Sequence, residues 1–274
     1  PGAGFSAAGS RPLEPDRSGC PDLNETFEPA CSIVIPARDE ASAIMSVLER
    51  IVDAVTLSFE CVVVVDDESD TTHPVVADLH ARDPRFRIVV NDRAPGPANA
   101  IRYGVEASAA PVIVVTMADG SDDPRAIDDL VRLIERGVVI AAASRYMAGG
   151  QQVGAPFLKS ALSRMAGLTL CWFARVGTHD ATNSFKAYDR SFLEDAGIDS
   201  EHGFEMGIEL VAKARRARLP VAEIPTIWIE RSFGASNFQV RRWLMRYLRW
   251  YLVAFGIRRR PRSSGHDRAR ATSV

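Results

Sequence analysis

Short runs of β-branched and small apolar residues alternate with segments of helical period along most of the chain. Residues 32–37 (SIVIPA), 61–67 (CVVVVDD), 86–90 (FRIVV), 111–119 (PVIVVTMAD) and 138–144 (VVIAAAS) read as strands. Between them apolar residues recur three and four apart, which predicts helices at about 40–55, 73–82, 97–108 and 124–136. Uninterrupted apolar strands need cover on both faces, and strands separated by helices pair in parallel. The predicted fold class is therefore α/β: a single domain with a mostly parallel central sheet covered by helices.

The second half is less regular. It reads as a helix at about 158–173, a polar segment THDATNSFKAY (178–188), a helix at 203–218, a strand around VAEIPTIWI (221–229) and a long helical pattern over 238–255. Residues 1–28 mix Pro, Gly, Ser and charge without any period, the pattern of a flexible leader. The expected layout is that leader, a domain over 29–256 ending in an amphipathic helix (238–256), and a basic disordered tail over 257–274. The longest apolar runs fall far short of the roughly 20 residues that cross a bilayer.

Net charge is −2, which gives no general attraction to nucleic acid, but the sum hides an asymmetry. From Arg231 onward there are eleven Arg against the single acid Asp267, so the end carries +10 and the rest −12. That leaves an anionic ligand or a membrane surface open for the C-terminal segment. The cysteines, Cys20, Cys31, Cys61 and Cys171, form no CxxC and read as unpaired, which fits a reducing cytoplasm.

In an open parallel sheet the ligand sits beyond the carboxyl ends of the strands. Three of those ends are acidic here: Arg38-Asp39-Glu40 after the first strand, Asp66-Asp67-Glu68-Ser69-Asp70 after the second, and Asp119-Gly120-Ser121-Asp122-Asp123 after the fourth. A single loop Asp, such as Asp122 ahead of Pro124, can serve as a helix cap. Three clusters on one edge beside a phosphorylated ligand instead imply a hard divalent cation, Mg2+ or Mn2+. Neither GxGxxG after the first strand nor GxxxxGK[ST] anywhere is present, which disfavours a dinucleotide-binding dehydrogenase and a P-loop NTPase.

The ordered series PARDE, VVVVDDES, GPANAIRYG, VIVVTMADGSDDP, ASRYMAGG, DATNSFKAY, GFEMGIEL and RSFGASNF resembles the family 2 glycosyltransferases of GT-A fold. Within them it is similar to the branch of polyprenyl-phosphate sugar transferases that includes dolichol-phosphate mannose synthase. The resemblance runs from about Cys31 to Phe255. It implies a nucleotide-diphosphate sugar donor held by Pro36, Arg38, Glu40, Asp66, Asp67, Asn99, Asp119, Arg145 and Ser236. Asp119 matches the second acid of the family's Asp-x-Asp metal motif, whose first acid is replaced by Met117, with Asp122 or Asp123 assisting at the metal. Arg231 and Ser236 match the loop that closes over the diphosphate, with Asn237 in place of its usual Lys. By the same resemblance the reaction inverts the anomeric centre.

For a base, Asp180 and Glu205 are the candidates. Glu205 and Glu209 share one helical face, where a structural ion pair with Lys213 is the competing account. A phosphate monoester acceptor is largely dianionic at neutral pH and needs orientation more than deprotonation, whereas a hydroxyl acceptor needs the base. In the C-terminal pattern Trp243, Leu244, Tyr247, Leu248, Tyr251 and Leu252 interleave with Arg242, Arg246 and Arg249. Such a helix suits a membrane interface, or packs its apolar stripe on the core and leaves its Arg residues solvated. Three readings follow. The preferred one is transfer to a polyprenyl phosphate by a cytoplasmic protein docked on the inner face of the cell membrane. The others are the same donor chemistry on a soluble acceptor, and an inactive sugar-nucleotide-binding relative.

Overall fold

A computed structural model describes residues 28–201, 203–230 and 240–257. Strand β1 (Cys31–Pro36), helix α1 (Ile44–Ala54), β2 (Phe59–Val65), α2 (Thr72–His80), β3 (Phe86–Val90), α3 (Pro97–Ala107) and β4 (Val112–Val115) follow the predicted alternation. After a 3₁₀ turn (Pro124–Ala126) come α4 (Ile127–Glu135), β5 (Ile140–Ser144), β6 (Gln151–Val153) and α5 (Phe157–Thr169), which runs into a π turn (Leu170–Ala174). The chain continues through β7 (Lys186–Asp189), α6 (Arg190–Ala196), α7 (Met206–Ala217), β8 (Val221–Pro225), β9 (Ile227–Ile229) and α8 (Val240–Ala254).

Seven strands form one sheet in the order β3-β2-β1-β4-β7-β5-β8, and β6 pairs with β9 in a separate ribbon. All pairings are parallel except the two made by β7. Alternate residues of each strand serve opposite faces. Ile33, Ile35, Val63 and Val114 pack under α1 and α4, through Val47, Leu48, Ile51, Leu130 and Val131. Val34, Val62, Val64 and Ile113 pack under α3 and α7, through Ala100, Ile101, Leu210 and Val211. A Cβ on Gly104 would lie 2.4 Å from Val34 Cγ1, so α3 reaches the sheet because that position has no side chain.

Two of the differences from the sequence expectation involve strands of the second half. The polar segment 178–188 ends in a central strand, because Phe185, Lys186, Ala187 and Tyr188 are all buried and β7 lies between β4 and β5. The strand expected over 221–229 divides at Thr226, with β8 in the main sheet and β9 in the ribbon. Residues 1–27 of the expected leader (1–28), residues 258–274 of the expected tail (257–274), Arg231, Ser236, Asn237 and the side chains of Arg242, Trp243 and Leu244 lie outside the described residues. Among the described residues no helix is long and apolar enough to cross a membrane.

Candidate active site

The loops after β1 and β2 are fastened to each other. Asp70 is 7% exposed and accepts from the backbone of Asp39 (3.0 and 3.2 Å) and of Thr72 (2.8 Å), while Thr72 Oγ1 accepts from Glu40 N at 3.0 Å. Asp39 itself takes a left-handed conformation (φ 56°) that turns the loop. Pro36 is buried at the strand end, Arg38 is exposed and Glu40 half-buried on the loop. Asp67 is exposed and holds Ser69 N at 2.7 Å, a bond that lowers its pKa. Asp70, which orders this edge, was visible in the sequence only as one more acid of its cluster.

Asp66 reaches the next loop: it accepts from Asn91 Nδ2 and from Gly96 N, both at 2.9 Å. Asn99, the predicted donor contact on α3, is 4% exposed and turned inward. Its amide donates to Ala94 O (2.8 Å) and Glu201 O (3.0 Å), and its oxygen accepts from Arg102 Nη1 (3.1 Å). It joins the loop before α3 to the segment leading into α7, and contact with a ligand would require those bonds to break.

At the end of β4, Asp119 is half-buried and its Oδ1 accepts from Ser121 N at 3.0 Å. Asp122 is 5% exposed; its Oδ2 accepts from Thr116 Oγ1 (3.0 Å) and Met117 N (3.2 Å), and its Oδ1 is buried without a hydrogen-bond partner. Burial, then the neighbouring Asp119 charge, pushes its pKa up to about 7. The cap ahead of the 3₁₀ turn is Asp123, not Asp122, since Asp123 accepts from Arg125 N. A cleft of about 710 Å³ opens beside this loop, between α1 and β9, with Arg50, Asp119, Asp122, Asp123, Ile227 and Ile229 on its walls.

Arg145, just past β5, is gripped by Asp180. Its Nε donates to Oδ2 at 2.6 Å and its Nη2 to Oδ1 at 2.9 Å, with Asp180 fully buried. The Arg145 guanidinium lies over the Tyr146 ring (5.0 Å) and the Trp228 ring (5.7 Å). Burial alone would lower the Arg145 pKa and raise that of Asp180, but the pair's charges and hydrogen bonds win in both, so both stay ionised. Asp180, a candidate base in the sequence, is the buried partner of Arg145. Its Oδ2 also accepts from Arg145 N and its Oδ1 from Asn183 N, so no lone pair is left exposed and the carboxylate is a poor proton acceptor.

Lys186 is buried behind the pair and donates to Ala181 O and Asn183 O; burial lowers its pKa to about 8. Gly207 near the start of α7 rests on the same turn, where an added Cβ would lie 3.2 Å from Asn183 O. That brings in Glu205, 4% exposed, with Oε2 buried and unpartnered. Glu209 is spoken for: it pairs with Lys213 and accepts from Asp199 N and Ser200 N, the structural ion pair weighed for this helix face.

Among the described residues no three His, Cys, Asp or Glu side chains gather as a metal site. The donor set nonetheless fits a cation that completes its shell with phosphate and water. Asp119 and Asp122 repel each other, one oxygen of Asp122 lacks a partner, and magnesium commonly takes only one or two carboxylates with substrate phosphates.

A family model for glycosyl transferase family 2 matches residues 32–197. A dolichol-phosphate mannosyltransferase of Pyrococcus furiosus is 27% identical over 229 residues, 80% of this chain and 64% of that protein. A polyprenol monophosphomannose synthase of Mycolicibacterium smegmatis is 29% identical over 213 residues, 75% of this chain and 79% of that protein. Glucosyl-3-phosphoglycerate synthase of Mycobacterium tuberculosis, solved with Mn2+, uridine diphosphate and glucosyl-3-phosphoglycerate, superposes with a TM-score of 0.61 at 17% identity, covering 84% of this chain and 81% of its own; this establishes the GT-A fold. Strand order, acidic strand ends and the matched span lead to one conclusion: the chain belongs to glycosyltransferase family 2.

Proposed function

We propose that this chain, with Mg2+ or Mn2+ bound, transfers a sugar from a nucleoside-diphosphate donor to a polyprenyl phosphate, inverting the anomeric carbon. The observation that carries the reading is Asp119 next to buried Asp122, one of whose carboxylate oxygens has no hydrogen-bond partner, at the end of β4 beside the joined loops of β1 and β2. Pro36, Arg38, Glu40, Asp66 and Asp67 would surround the nucleoside; carboxylates suit ring N–H and ribose hydroxyl donors, and an Arg can stack on the base. Asp119 and Asp122 would hold the cation, which when bound offsets the diphosphate charge. Arg145, oriented by Asp180 and its two aromatic neighbours, presents a fixed positive charge to the leaving group. Arg231 and Ser236 take the rest of that role by resemblance.

The acceptor oxygen attacks the anomeric carbon as the nucleoside diphosphate leaves, and a single displacement inverts the centre. A phosphate monoester needs little deprotonation near neutral pH, its second pKa being about 6. Glu205 would orient such an acceptor, or remove the proton of a hydroxyl one. Two observations support a lipid acceptor. Both curated relatives above carry polyprenyl-type names. Large apolar side chains also stand exposed on α5, the π turn and α8, including Phe157, Met165, Trp172, Phe173 and Met245, with exposed Arg164, Arg175 and Arg249 nearby in sequence. A rim of aromatic and basic side chains is suited to anionic lipid headgroups.

The test is transfer from radiolabelled UDP-, GDP- and dTDP-sugars, with and without Mn2+, to a short polyprenyl phosphate and to soluble saccharides. Metal-dependent labelling of the lipid, lost in Asp119→Ala, is expected. Labelling of a soluble acceptor alone would replace the lipid reading, and donor binding without turnover would favour an inactive relative.

A further inference from the structure

Arg50 lies on α1, outside every acidic cluster, and its guanidinium reaches across to the loop that carries Asp119 and Asp122. Nη1 donates to Gly120 O at 2.9 Å and Nη2 to Asp122 O at 3.0 Å. The loop passes close to α1 because Gly120 adopts φ +73°, a conformation that L side chains rarely take; its missing Cβ would sit 3.6 Å from both Arg50 Nη1 and Val47 Cγ2. On the far side the loop is fastened by Ile229 N, which donates to Ser121 O at 3.0 Å. Inside the loop, Asp119 holds Ser121 N and Asp122 holds Met117 N. Gly120 O and Asp122 O flank the Ser121 carbonyl that β9 takes, so the two ties alternate along three consecutive peptides.

We propose that Arg50 is a positioning residue for the divalent cation: by fixing the carbonyls on either side of Ser121 it sets the direction in which the Asp119 and Asp122 carboxylates leave the backbone. This rests on the reading of those acids as the metal site. The fork matters. One planar guanidinium spans two carbonyls two residues apart, whereas an ammonium is a single point charge that satisfies them one at a time. Met117 stands where the family's first metal-motif acid would be, so the site has fewer carboxylates to fall back on and depends more on the direction of each.

The test is titration of Mn2+, alone and with UDP or GDP, into the full chain, followed by the loss of the free-ion EPR signal, with thermal unfolding measured on the same samples. Arg50→Ala should weaken Mn2+ binding by roughly 10- to 100-fold, the range seen when groups that orient metal ligands are removed. Arg50→Lys should recover part of that loss. The unfolding temperature of Arg50→Lys without metal should stay near wild type, and at saturating Mn2+ the nucleotide affinity of both variants should return towards it. Equal Mn2+ affinity in wild type and both variants overturns the positioning role while leaving the metal site intact. A wild type that takes up no Mn2+ with any nucleotide sinks the reading of the site and this inference with it. Should Arg50→Ala not fold, Arg50→Lys and Arg50→Gln carry the test alone, and wild-type affinity in both overturns it.

Discussion

Asp122 holds a carboxyl group almost entirely out of water, against a second carboxylate and with one oxygen unmatched. The sign of its effect follows from the direction of the shift. Its folded pKa, about 7, lies above that of an unfolded aspartate, so its stabilising contribution is complete below the unfolded value and is lost as pH rises through 7. Thermal unfolding of metal-free protein should therefore show Asp122→Asn gaining on wild type between pH 5 and pH 8. Mn2+ with a nucleotide should narrow the gap at pH 8, since bound ligand stabilises the native state. A constant difference across that range would show that Asp122 ionises as freely as a surface acid.

Glu205 separates the two acceptor classes. If the acceptor is a phosphate, Glu205→Gln should lower turnover only several-fold, mainly through acceptor KM; if a hydroxyl, loss of the base should cost roughly 10²–10⁴ in kcat. Asp180→Asn should do harm although the Asp180 carboxylate is fully buried. It leaves the buried Arg145 charge without its partner, at about 3–5 kcal/mol of stability; chemical denaturation measures this. Individual acids such as Asp66, Asp119 and Asp122 stood out in the sequence as candidates because ligands bind beyond strand ends in such sheets. Their division of labour was not. Asp70, Asp180 and Asn99 read as site residues or spare acids, and only the folded chain reveals that their polar atoms face inward to hold loops.

At the scale of elements, the first half was readable because its strands are mostly apolar runs and α1, α3 and α4 carry buried apolar stripes. β7 was missed for a physical reason: Lys186 and Asp189 give it the look of a loop, and a lysine belongs in a central strand only when carbonyls such as Ala181 O and Asn183 O receive its ammonium. The ribbon β6–β9 escaped notice because β6 is a three-residue strand with mostly exposed side chains, which leave no periodic signal. Close approaches carry another prediction. A Cβ on Gly167 of α5 would lie 2.1 Å from His179 O, next to Asp180. Gly167→Ala should push α5 off that turn, destabilise by about 1–3 kcal/mol as overpacking does, and reduce turnover by disturbing the Asp180–Arg145 pair. Denaturant melts and assays of the same preparation check both.

Over the whole molecule, the exposed apolar and aromatic side chains of α5, the π turn and α8 form a surface that α8 ties down partly through Tyr251, whose hydroxyl donates to Thr169 Oγ1 at 3.0 Å. Trp172→Glu with Phe173→Glu should reduce co-sedimentation with phosphatidylglycerol vesicles at least tenfold, leaving transfer to a water-soluble short-chain acceptor near wild type. Unchanged sedimentation would place any lipid contact elsewhere. The central antiparallel strand has a different consequence. In the main sheet β5 pairs only with β7 and β8, both made later in the chain, so a ribosome that has released residues up to Ser144 has synthesised a strand with no neighbour to dock on. The emerging polypeptide must keep β4 and β5 apart and unzipped until Lys186–Asp189 arrives as a keystone between them. A truncated product ending before that point leaves β5 unpaired on both sides and β4 on one, and its fate is aggregation or degradation rather than a smaller working enzyme.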